Sequence, residues 1–228
     1  MLAEQSILNY LERTAGADPV PGGGSAAALC GALAAALIEM TARLTLDRKG
    51  FEPVRAEMEA IAERAARLRS RLAEEIERDA DAYRGVLAAL RLPKGTPEEH
   101  AARRHALQQA TLHAAEVPLG VAQAAVELLE LGGAVIARGN PNAASDGAAG
   151  VFAARAAARA AAGNVRINAR ALEQASLRDE LIAAAARIEA RADAGEAEAL
   201  ASWTAGIGGP SGVRASDGKG GWKPPTPT

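Results

Sequence analysis

The chain has 228 residues with 26 basic and 28 acidic side chains, a formal net charge of -2 and a pI near 6.0, so it offers no basic surface for nucleic acid or an anionic membrane, and its expected partner is a small molecule. Cys30 is the sole cysteine, which excludes an intrachain disulfide and a cysteine metal cluster and fits a reducing, cytoplasmic compartment. Alanine is the commonest residue and aromatics make up only 3%, so helices are favoured while core volume is scarce. The composition predicts an all-α bundle of about six helices with Ala-rich, small-residue seams. A thin bundle of this kind buries little apolar area alone, so a dimer is expected.

Residues 1–204 read as one helical domain and 205–228 as a Gly/Pro-rich, flexible tail containing Trp222 and Lys223-Pro224-Pro225. The N-terminus, with Glu4 and Glu12, has no signal-peptide order. The apolar run Ala26 to Ile38 reads as too short and too Ala-rich to span a bilayer.

A first helix is predicted over residues 3–15, where Ile7, Leu8 and Leu11 have helical spacing and Gly16 with Asp18-Pro19 ends the pattern. Next comes Pro21-Gly22-Gly23-Gly24-Ser25. Three glycines let the backbone come close to a ligand, and Ser25 is placed to cap a helix running to Leu46. The amides at such a start form a potential seat for a carboxylate, phosphate or carbonyl oxygen. Gly23, Ala27, Gly31 and Ala35 form a small-residue seam expected to be buried.

A third helix is predicted over residues 53–92 and a fourth from Thr96-Pro97-Glu98-Glu99, a capping box with proline at the first helical position. Pro118 is expected to kink the fourth, and Gly132-Gly133 to weaken it before Gly139-Asn140-Pro141. A fifth spans 145–172 and a sixth 177–203.

Polar residues on apolar faces mark candidate sites. On the third helix Ile61, Leu68, Leu72, Ile76, Tyr83, Val86, Leu87 and Leu90 share a stripe, and Asp79 falls inside it while Asp81 points to the other side. A carboxylate on a buried stripe is either paired, for instance with an arginine of a neighbouring helix, or functional. On the fifth helix Arg155, Arg159, Arg166 and Arg170 share one face, read as solvated, with Asp146, Asn164 and Asn168 opposite. Asp146 and Asn164 lie roughly 27 Å apart along that helix, so only a dimer could bring them into one site. Asn140, Asn142, Ser145 and Asp146 crowd one connection, and paired amide donors and acceptors suit a pterin or purine edge. His100, His105 and His113 lack metal-ligand spacing, so no metal site is expected.

Taken together, Pro21-Gly22-Gly23-Gly24-Ser25, Leu44-Thr45, Asp79 with Ala82-Tyr83, Leu92-Pro93-Lys94, Arg103, Val117-Pro118-Leu119, Gly139-Asn140 with Asn142, Ser145-Asp146, and Asn164-Val165 with Asn168 resemble the cyclodeaminase/cyclohydrolase family of folate enzymes. The resemblance covers about residues 7–172. It implies a dimer of long helices with folate in a cleft at the subunit interface. The chain departs from the family pattern at Arg43-Leu44-Thr45-Leu46-Asp47-Arg48-Lys49-Gly50, where the family often has asparagine in place of Arg43 and glycine in place of Asp47.

The implied chemistry is hydrolysis of 5,10-methenyltetrahydrofolate to 10-formyltetrahydrofolate, with a tetrahydrofolate derivative as substrate and no separate cofactor. Asp79 is the first candidate base and Asp146 the second, with Lys94 beside them. Gly22, Gly23, Gly24, Ser25, Tyr83, Arg103, Asn140, Asn142, Ser145, Asn164 and Asn168 are the candidate substrate contacts. Two alternatives stand beside this: cyclodeamination of 5-formiminotetrahydrofolate with release of ammonia, and a non-catalytic folate-binding dimer.

Overall fold

The structure, a computed structural model, describes residues 1–207; the tail from 208 onward lies outside the described residues. Among these residues there are six α-helices and no strand: α1 Ile7–Thr14, α2 Gly23–Leu46, α3 Arg55–Leu90, α4 Pro97–Arg138, α5 Ala144–Arg170 and α6 Ala175–Ile207. Helix α2 packs between α3 and α5, and α4 packs against α3, α5 and α6. The all-α expectation holds.

Helix α5 shows how an alanine-rich chain makes a core. Ala154, Ala157, Ala158, Ala161 and Ala162 are fully buried, so neighbouring backbones approach where larger side chains would hold them apart. A Cβ on Gly31 would meet Leu72 of α3 at 3.2 Å, and one on Gly150 would meet Ile38 of α2 at 3.1 Å. The neighbours along α2 and α5 run in opposite order: Gly23 faces Asn164, Gly31 faces Ala157 and Gly147 faces Thr41. The two helices are therefore antiparallel.

Several expectations are corrected. Helix α1 is shorter than residues 3–15, and its buried side chain is Tyr10, while Ile7, Leu8 and Leu11 face outward. In the α2 seam Ala27, Gly31 and Ala35 are buried but Gly23 is exposed. Helix α4 continues through Pro118 to Arg138. Gly132 and Gly133 do not weaken it; they admit Val151 of α5 and Ala199 of α6, which a Cβ would strike. The arginine face of α5 is not simply solvated, because Arg155 and Arg159 pair with Asp193, and Arg166 with Glu189, all on α6. Helix α2, at 24 residues and mean hydropathy 1.6, is long and apolar enough to cross a membrane, contrary to the reading of its Ala26–Ile38 run as too short; 56% of that window is buried in the bundle.

Candidate active site

The α3 stripe is buried through Met58, Ile61, Leu68, Leu72 and Ile76, and then opens: Tyr83 is 40% and Leu90 44% exposed. The change occurs at Asp79, because α2 begins at Gly23 beside it while α3 runs on to Leu90. Past Asp79, Ala82 and Val86 of α3 meet Ala114 and Val117 of α4 in a separate small apolar cluster. Asp79 thus stands half-buried where the covered part of α3 ends, against the first turn of α2.

Asp79 is held by α2. The Ser25 hydroxyl donates to its Oδ2 at 3.0 Å, and the Ser25 backbone N–H faces the same carboxylate. Ser25 also lies 3.0 Å from the Ile76 carbonyl oxygen and is fully buried. The expected cap role is corrected: Gly22 is the N-cap, and Ser25, one turn in, reaches across to α3. The anion seat at this helix start is filled by the protein's own carboxylate. Gly24 makes that possible, since a Cβ there would collide with Asp79 Oδ1. Burial raises the Asp79 carboxyl above its ordinary value, and the Ser25 hydroxyl and amide pull against that rise. None of the causes of that shift is a cation, so the alternative of an arginine-paired structural acid is not what the site contains. Asp81 behaves as a surface acid, exposed and paired with Arg84.

Asn164 of α5 joins this cluster: its Nδ2 would lie 3.7 Å from a Cβ on Gly23. It donates to Ala160 O at 2.9 Å, while Asn168 donates to Ala114 O at 2.6 Å and ties α5 to α4. Gly22 is half-buried at the cap, and Tyr83 lies one turn beyond Asp79 on the outer part of α3.

A second polar cluster sits at the other end of α2. Thr45 Oγ1 accepts the Asn140 N–H at 2.9 Å, Arg48 donates to Asn140 Oδ1 at 2.7 Å, and the Asn142 N–H donates to the same oxygen at 3.0 Å. Asn142 and Ser145 are exposed, and Asp146 is half-buried at the start of α5. From Ser25 to Thr45 is about 30 Å along α2. Within one chain the Asn140–Asp146 connection therefore does not face Asp79, as the separation of Asp146 from Asn164 implies.

Lys94 is exposed in the turn between α3 and α4. Arg103 donates through Nε and Nη2 to Leu90 O, at 3.2 and 3.0 Å, and so closes the end of α3. The unusual Arg43 serves the fold, pairing with the nearly buried Glu39, whose second oxygen takes Arg69 at 2.9 Å. Among the described residues no group of three His, Cys, Asp or Glu side chains is placed to hold a metal.

Three features escape sequence reading. Thr45 anchors the Asn140 turn, and Leu44-Thr45 is its only signal. Arg48 grips Asn140 from across the bundle, and a surface arginine carries no such signal. Tyr10 is 7% exposed and, among the described residues, no hydrogen-bond partner lies at good geometry on its hydroxyl; burial raises its pKa against the nearby Thr14 hydroxyl, and Asp79 and Cys30 are near enough to add to the rise.

The fold and this site define a protein that is all-helical over the described residues and whose half-buried carboxylate is fixed by a glycine-flanked helix start. Residues 6–187 match the family model described as Formiminotransferase-cyclodeaminase, and the chain belongs to that family. It is 37% identical over 180 residues to a methenyltetrahydrofolate cyclohydrolase of Methylorubrum extorquens, covering 79% of this chain and 86% of that one. It is 33% identical over 127 residues to the formimidoyltransferase-cyclodeaminase of Mus musculus, covering 56% of this chain and 24% of that longer protein. The crystal structure of formiminotetrahydrofolate cyclodeaminase from Thermotoga maritima superposes with a TM-score of 0.81 at 27% identity, over 91% of this chain and all of that one.

Proposed function

We propose that this protein is a cytoplasmic enzyme that hydrolyses 5,10-methenyltetrahydrofolate to 10-formyltetrahydrofolate, with Asp79 as the base. The carrying observation is the half-buried Asp79 carboxylate, held by Ser25 and, among the described residues, without a cationic partner. A half-buried anion of this kind favours a cationic methenyl carbon and can take a proton from water. Water adds to the bridging carbon as Asp79 accepts one of its protons. The N5–C bond of the adduct then breaks, N5 gains a proton and the carbon remains on N10 as formyl. The net reaction consumes one water and releases one proton.

In this reading Gly22, Gly23, Gly24 and Ser25 form the backbone wall of the cleft, and Asn164 orients the pterin. The cluster of Asn140, Asn142, Ser145 and Asp146, as well as Lys94, serves the site from the partner in a homodimer whose site lies at the subunit interface. The higher identity to the cyclohydrolase of Methylorubrum extorquens, 37% against 33% and 27% for the cyclodeaminases of Mus musculus and Thermotoga maritima, favours hydrolysis over cyclodeamination. Loss of methenyl absorbance on adding pure protein tests the proposal. Ammonia release from 5-formiminotetrahydrofolate with no effect on the methenyl compound would replace it with the cyclodeaminase reading.

A further inference from the structure

A second charged cleft, of about 140 Å³, lies between α3 and α4, and Asp79 is not among the residues that line it. Arg71, Glu75 and Arg78 reach it from one face of α3, and His113, Val117 and Gly120 from α4. Glu75 forms its base and is only 3% exposed. Glu75 Oε1 accepts Arg78 Nη1 at 2.7 Å and lies 3.9 Å from Arg71 Nε. Its Oε2 is shut off from water and has no hydrogen-bond partner among the described residues.

An ionised oxygen without a donor is costly in such a place, and native chains keep one where something else supplies the donor. The arginines beside it ask for the opposite charge. Both are exposed, and among the described residues each makes one hydrogen bond, Arg78 to Glu75 and Arg71, at 3.5 Å, to Gly120 O. A guanidinium carries five N–H groups, so most of both forks is open. Gly120 lets Arg71 lie over α4, since a Cβ there would meet Arg71 Nη2 at 3.0 Å. With Glu116 at the rim, the two acids and two arginines sum to no net charge, yet the charge is separated, with the buried acid below and the arginines above.

This arrangement suits a zwitterion better than an ion of either sign. As the two exposed arginines swing aside, an ammonium group can donate to Glu75 Oε2 while an adjoining carboxylate takes the open N–H groups of Arg71 and Arg78. The volume equals that of about five waters, which holds a small amino acid and excludes a pterin or a nucleotide. We propose that the Arg71–Glu75–Arg78 cleft binds a free α-amino acid whose small side chain rests against Val117. The site stands apart from the hydrolysis proposed at Asp79.

Calorimetric titration of the full chain with glycine and with L-alanine tests it. One molecule per chain is expected, with a Kd of about 1 mM or tighter. Glu75→Gln removes the charge that holds the ammonium, and Arg71→Gln, a change at the surface, removes one fork; each should weaken binding by about tenfold or more while circular dichroism stays helical. Acetate and methylamine each carry half of the ligand and should bind more weakly than L-alanine by a similar factor. L-Alanine should also raise the Tm of the wild type and not that of Glu75→Gln. Absence of heat and of any Tm rise with both amino acids, binding that either substitution leaves unchanged in a folded chain, or acetate as tight as L-alanine would overturn the proposal. A chain that takes no amino acid but whose Arg71→Gln variant raises KM for the methenyl substrate would assign the arginines to that substrate instead.

Discussion

Asp79 sits at the N-terminal turn of α2 and is held there by Ser25: the Ser25 hydroxyl donates to Asp79 Oδ2 at 3.0 Å and the Ser25 N–H faces the same carboxylate. A helix start that reads as a seat for a ligand's anion instead fixes the position and tunes the proton affinity of an acid on another helix. The consequences are measurable.

Replacing Asp79→Asn removes the proposed base and is expected to lower turnover of methenyl substrate by about 10²- to 10⁴-fold in the absorbance assay. Stability should move the other way. Because folding raises this carboxyl's pKa, the ionised acid weakens the fold above its folded value, and below its ordinary value of 3.8 both variants are neutral. Thermal melts should therefore show Asp79→Asn at least as stable as wild type at pH 7, with the difference closing in acid.

The Ser25 hydroxyl lowers the Asp79 pKa against the larger effect of burial. Ser25→Ala removes that opposition, so the acid limb of the kcat/KM profile should move to higher pH. The base is then lost to protonation earlier as pH falls. A limb that stays in place or moves down would mean that Asp79 does not govern it.

Gly24→Ala puts a methyl group into the space of Asp79 Oδ1. Overpacking at such a contact costs about 1–3 kcal/mol, and displacing the carboxylate should suppress activity as well. In an Asp79→Ala background the same substitution should cost clearly less, since the atom it strikes is gone. Denaturant melts of the four proteins give this coupling directly.

Glu39 on α2 is 8% exposed and binds Arg43 and Arg69. Burial pushes its carboxyl up, but the two guanidinium groups together hold it below its ordinary 4.5. Its contribution is therefore present above pH 4.5 and is lost as pH falls through the depressed folded value. Glu39→Gln should cost about 1 kcal/mol at pH 7, because it strands only half-exposed arginines, and almost nothing near pH 3.

Much of this protein is legible along the chain. The Thr96-Pro97-Glu98-Glu99 capping box starts α4 where it reads, with the Thr96 side chain accepting the Glu99 N–H. Asp79 stands out because an acid interrupts a helical stripe. Such signals are local, set by propensity and by period along one helix. Gly132-Gly133 misleads for the same reason: in sequence a glycine pair weakens a helix, whereas here the cost is offset by close contact with α5 and α6.

By itself the sequence determines that the chain is helical, where most helices begin and end, that Asp79 is out of place on its stripe, that Asn164 lies opposite the arginines of its helix, and that polar residues crowd the connection at Asn140. The tertiary structure decides which of them meet. Antiparallel packing of α2 and α5 brings Asn164 to Gly23 and carries Asn140 to Thr45, a helix length away, while packing of α3 on α2 brings Asp79 to Ser25. Contacts between helices depend on which backbones approach closely enough, and in an alanine-rich bundle that follows from the whole set of small residues packing at once.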